Sequence, residues 1–64
     1  MSEVEMIQAL NKAMRFSKEA QTTVWAMSNG SNIKSTILPS KRDEMKAEGY
    51  WVCSIFENGY RVEA

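Results

Sequence analysis

The sequence predicts an α+β fold: a small single domain over residues 1–64, in the order α-β-β-α-β-β. An antiparallel sheet of three to four strands is expected, with a long N-terminal helix and a short second helix packed on one face. Three observations predict it. A helical apolar stripe runs through the first residues. Two Asn-Gly pairs, Asn29-Gly30 and Asn58-Gly59, each follow a run of strand formers. Between the two expected hairpins lies a short polar run bracketed by Pro39 and Gly49.

The first helix starts at a capping box. Ser2 is placed as N-cap and Glu5 stands three residues on, so each side chain satisfies the other's backbone N–H. Met6, Ile7, Leu10, Ala13 and Met14 then recur at helical spacing, with Gln8, Asn11, Lys12, Arg15, Lys18 and Glu19 opposite. No Gly or Pro interrupts this run, and the helix is expected to reach about Glu19. Phe16 lies at the edge of the stripe, placed to pack against the first strand.

From Gln21 to Met27 the period changes. Thr22-Thr23-Val24-Trp25-Ala26-Met27 is rich in β-branched and aromatic residues. Asn-Gly suits a type I′ turn, which needs φ > 0 at both central residues. A two-residue loop at Asn29-Gly30 would set Ala26 opposite Ile33 and Val24 opposite Ser35. Trp25, Met27 and Lys34 would point the other way. The Ser-Asn-Gly-Ser-Asn run also allows a longer loop, and residues 28–40 could be irregular on a three-stranded sheet.

Pro39 has no N–H to give a ladder, so the second strand ends before it. Ser40 is the expected N-cap of a short helix over about Lys41 to Glu48, closed by Gly49. Met45 is its single large apolar anchor. The last hairpin, turning at Asn58-Gly59, sets Glu57 opposite Tyr60, Ile55 opposite Val62 and Cys53 opposite Ala64. Strict alternation puts Trp51, Cys53, Ile55, Tyr60 and Val62 on the core face. Tyr50, Val52, Ser54, Phe56, Arg61 and Glu63 then share the other.

Composition narrows the function. Eight Lys and Arg balance eight Asp and Glu. Zero net charge argues against a domain held to nucleic acid mainly by counterion release. A chain this short is marginal alone, so a monomer or a small homo-oligomer is expected. One cysteine and no histidine allow neither an internal disulfide nor a Cys/His zinc site. The first residues lack the apolar run of a signal peptide, and a cytoplasmic location with a reduced thiol follows as the expectation.

Catalytic chemistry is not visible. Cys53 has no histidine to activate it, and a buried small hydrophobe is the simpler reading. Asp43, Glu44 and Glu48 lie beside Lys41, Arg42 and Lys46 and read as a solvated face. The three glycines are isolated, so no phosphate loop exists. The chain is not expected to be an enzyme, nor to carry a cofactor or a metal.

Two surfaces are candidates. Lys34, Lys41 and Arg42 fall in residues 31–42 without an acid. Ser40, Lys41 and Arg42 at a helix start would suit an anion, against the plainer reading of a solvated loop. If both helices cover one sheet face, the other shows Trp25, Met27, Lys34, Tyr50, Val52, Phe56 and Arg61. Aromatic, Met and Arg positions together match the composition of protein interfaces. The competing reading is that a helix covers this face too.

The expected function is therefore a small non-catalytic protein-binding module. It would be an accessory or inhibitory factor, of the kind phages and other mobile elements carry, that occludes a partner protein. The alternative is a single-stranded nucleic-acid binder stacking bases on Trp25, Tyr50 and Phe56, with Lys34, Lys41, Arg42 and Arg61 on the backbone.

Overall fold

Ser2 opens the first helix. In the computed structural model, which describes residues 1–62, its hydroxyl accepts the Glu5 N–H at 3.2 Å. The Glu5 carboxylate accepts the Ser2 N–H at 3.4 Å in return. Helix α1 spans Glu3–Ala20 and ends at Gln21, whose φ of 50° is left-handed. Ala13 and Ser17, one turn apart, are its buried residues. Leu10 and Met14 flank them against the core. Ile7, expected in the stripe, is 52% exposed. It stands six residues from Ala13, about 120° round the helix, and so misses the sheet.

Four strands follow: β1 (Thr23–Ser28), β2 (Ile33–Thr36), β3 (Trp51–Glu57) and β4 (Tyr60–Val62). They form one antiparallel sheet in the order β2-β1-β3-β4, with helix α1 packed on it. The α-β-β-α-β-β order is the predicted one.

The first hairpin has a longer loop than two residues. Ser28 pairs with Ile33 and Ala26 with Ser35, leaving residues 29–32 as the connection. Asn29 sets that loop with both backbone and side chain: its N–H donates to the Asn32 carbonyl at 3.2 Å. Its Oδ1 accepts the N–H groups of Ser31 at 2.9 Å and Asn32 at 2.8 Å. The pairing thus moves by two positions, which keeps every side chain on its expected face.

The second hairpin turns at Asn58-Gly59, with φ of 51° and 88°. Glu57 pairs with Tyr60 and Ile55 with Val62, as predicted. The Cys53–Ala64 pairing, and the placing of Glu63, lie outside the described residues.

Strand β3 departs from strict alternation. Ala26 pairs with Ser54, but Met27 pairs with Val52, so Cys53 is an extra residue at a bulge. Phe56 and Ser54 share the face of their partners Val24 and Ala26. That face meets α1: Ala13, Val24, Ala26 and Phe56 make one buried cluster, with Leu10, Met14, Ile33 and Cys53 packed around it. Phe56 is thus a core residue on the α1 side, where the sequence placed Ile55.

Helix α2 spans Pro39–Ala47. Its N-cap is Leu38, with Pro39 in the first position. Pro is pre-organised there, so the helix starts before Ser40. It does not share a face with α1. Trp25 alternates with Val24 and Ala26 and therefore points away from α1. The Arg42 guanidinium lies 4.9 Å from the centroid of its ring. Met45 is buried, and Met27 is fully buried on the same side. Helix α1 thus packs on one face of the sheet, and α2 packs on the other against β1 and β2.

Candidate functional site

The covering helix removes the patch that alternation suggested. Met27 is 0% exposed and Phe56 4%, on opposite faces of the sheet. Trp25 is half-buried under Arg42. Tyr50 and Val52 are half-buried, and the exposed Lys34 holds its ammonium 5.5 Å from the Tyr50 ring centroid. Arg61 is exposed and pairs with Phe56, which turns it to the α1 side. The seven residues thus divide between two faces. The physical cause is the bulge at Cys53, together with an α2 that caps the second face.

The predicted anion cluster is also reorganised. Ser40 is exposed and lies inside α2, not at its cap. Lys41 pairs with Glu44 at 3.4 Å, and Arg42 Nε donates to Asp43 Oδ1 at 3.2 Å. Each cation has a carboxylate at hand, and the Arg42 guanidinium also covers Trp25.

What the structure brings together instead is a trough between α1 and β2. Phe16, Val24, Ser35, Thr36, Ile37 and Leu38 line a cleft of about 320 Å³. A second cleft of about 330 Å³ adjoins it, lined by Ala9, Lys12, Ala13, Phe16, Ile33 and Ser35. Phe16 and Ser35 belong to both, so the two run on as one trough beside the edge of the sheet. Local chemistry shapes it. Ala9 and Ala13 lower the α1 wall. Leu38, the residue before Pro39, is held extended, with φ −104° and ψ 122°. Its N–H donates to Thr36 Oγ1 at 3.2 Å, which fixes the turn out of β2.

Large apolar side chains remain in solvent around this trough. Phe16 is 47% exposed, Ile37 44% and Leu38 56%.

No family model, curated protein or solved structure matches this chain.

The sequence carried a signal for Phe16, which lies off the centre of the α1 stripe. Ile37 and Leu38 gave a weaker one, two apolar residues before a proline that the sheet has no room to bury.

Cys53 was the other residue of chemical interest. It is half-buried at the bulge. Burial pushes its thiol above the ordinary value of 9.0, against smaller lowering effects from its own backbone, Arg61 and Ser54. A thiol so placed is a poor nucleophile at neutral pH. Among the described residues no helix is long and apolar enough to cross a membrane.

Proposed function

We propose that this chain is a small non-catalytic protein-binding module that occludes a partner protein through the trough between α1 and β2. One observation carries the reading: Phe16, Ile37 and Leu38, about half-exposed, gather around a single cleft. Clustered exposed apolar side chains beside a concave wall are the usual mark of an interaction site. An accessory or inhibitory role fits a chain whose one thiol is held protonated and whose sequence offers no histidine to activate it. A cytoplasmic location fits a lone unpaired cysteine.

The test is an affinity capture from cell lysate, with and without nuclease. Wild type is compared with the paired surface substitutions Phe16→Ser and Leu38→Ser. A stoichiometric protein that survives nuclease and is lost with the substituted chain supports the reading. Capture that ignores the substitutions, or that nuclease abolishes, overturns it, and the second outcome favours a nucleic-acid binder.

A further inference from the structure

Strand β2 is one edge of the sheet, with β4 at the other. β1 uses the backbone groups on one side of it, and those on the other side are a template for an added strand. The trough lies beside that same edge. A segment laid along β2 would therefore send alternate side chains towards α1, into a cleft walled by Phe16, Ile33 and Ile37. The intervening side chains would meet the opposite face of β2.

The charges along this edge have one sign. Lys12 is the charged residue among those lining the trough. Lys34 is the charged residue of β2, exposed and turned to the opposite face, where Tyr50 lies. Residues 31–42 contain no acid. Opposite charges directly across two strands attract, and like charges repel. A strand that complements β2 thus carries apolar residues towards α1 and carboxylates beside Lys34.

We propose that β2 takes up an extended segment of the partner protein as a fifth strand, its residues alternately apolar and acidic. This rests on the protein-binding reading and names the partner's chemistry. Main-chain hydrogen bonds along the edge would give affinity, and the trough and Lys34 would give selectivity.

The experiment titrates the full ¹⁵N-labelled chain with synthetic peptides of about eight residues, a common strand length. The first alternates valine with aspartate. One control replaces aspartate by lysine, and the other replaces valine by threonine. The expected result is amide shifts concentrated at Ile33–Thr36 and around Phe16, with the first peptide binding about tenfold tighter than either control. Phe16→Ala should lower that affinity about tenfold, and Lys34→Glu should reverse the preference between aspartate and lysine peptides. Both side chains are exposed, so neither substitution threatens the fold. Absent shifts, shifts elsewhere, or equal binding of the lysine control would overturn the inference. If capture yields a trough-dependent protein while the peptides leave β2 unmoved, the strand proposal falls and the binding module stands. If capture yields no such protein, the functional reading falls and takes the strand proposal with it.

Discussion

The Ser17 hydroxyl accepts the Gly59 N–H at 3.0 Å, joining residues 42 apart in sequence. The same hydroxyl donates to the Met14 carbonyl at 2.6 Å, so it is held from the helix side while it grips the hairpin. Ser17 is fully buried. Replacing it by Ala leaves the turn amide with no partner from α1. The expected cost is about 1 kcal/mol, the net worth of a hydrogen bond whose donor lies in a half-buried turn. A urea midpoint for Ser17→Ala against wild type measures it, and an unchanged midpoint would remove the clasp from the account of stability.

Gly59 is required at that turn twice over. Its φ is +88°, and an added Cβ would stand 2.9 Å from the Lys18 Cβ. Gly59→Ala should therefore destabilise by about 1–3 kcal/mol through backbone strain alone. Steric contact with α1 adds to that. Because Ser17 and Gly59 share one contact, the two substitutions should combine to less than the sum of their separate effects, which a double-mutant cycle reads directly.

Phe56 and Phe16 are predicted to behave oppositely. Phe56→Ala empties the centre of the α1–sheet core and should cost about 3–5 kcal/mol. In a chain of this size that is most of the stability available. Phe16→Ala removes a half-exposed ring and should cost less than about 1 kcal/mol. Thermal unfolding followed by circular dichroism separates them. A small loss for Phe56→Ala would contradict its place in the core.

The place of Phe56 was not legible in the sequence. Strict alternation through residues 50–56 put Phe56 with Val52 on the outer face. The extra residue at Cys53 breaks the phase, so Ser54 and Val52 point to opposite faces. Nothing in Val52-Cys53-Ser54 marks a bulge, which arises from pairing with β1 and not from local propensity. By contrast, the helix start at Ser2 and the turn at Asn58-Gly59 were legible, because each is specified by residues a few positions apart. The trough was only partly legible. Phe16 stood out of its stripe, but its partners Ile37 and Leu38 come from a connection whose path depends on where α2 docks.

The thiol of Cys53 titrates above its ordinary value because burial disfavours the thiolate. A raised folded value means the folded chain holds this proton more tightly than the unfolded chain does. The resulting stabilisation is complete below pH 9.0, the unfolded value, and is lost as pH climbs through the folded value. Stability of wild type should therefore fall on the alkaline side of pH 9 more than that of Cys53→Ala. At pH 7.5 a disulfide reagent should modify the native chain far more slowly than the urea-unfolded one. Equal rates would show that the site is open to solvent.

Helix α2 is held by little. Met45 is its buried residue, Arg42 rests on Trp25, and its ion pairs are exposed. A nine-residue helix has scant stability of its own. Its amides should exchange with solvent well before those of β1, through local opening. Met45→Ala should widen that gap, and a mass-resolved exchange series would record it.

The path of the chain around β1 has a kinetic side. β2 and β3 both pair with β1, and the connection between them passes by way of α2. The hydrogen bond from Thr23 Oγ1 to Glu57 bridges 34 residues, at the far end of the β1–β3 ladder. Either hairpin can form early and alone, but each has its apolar sides open until the two meet. The topology predicts that the slow event in folding is the docking of β3 on β1, which closes residues 37–50 into a loop once the first hairpin has formed and costs entropy before the central ladder repays it. Lengthening the 29–32 loop leaves that closure little changed, for it spans one hairpin. Lengthening the Gly49 connection lies on the path itself, and the folding arm of a chevron plot would register the difference.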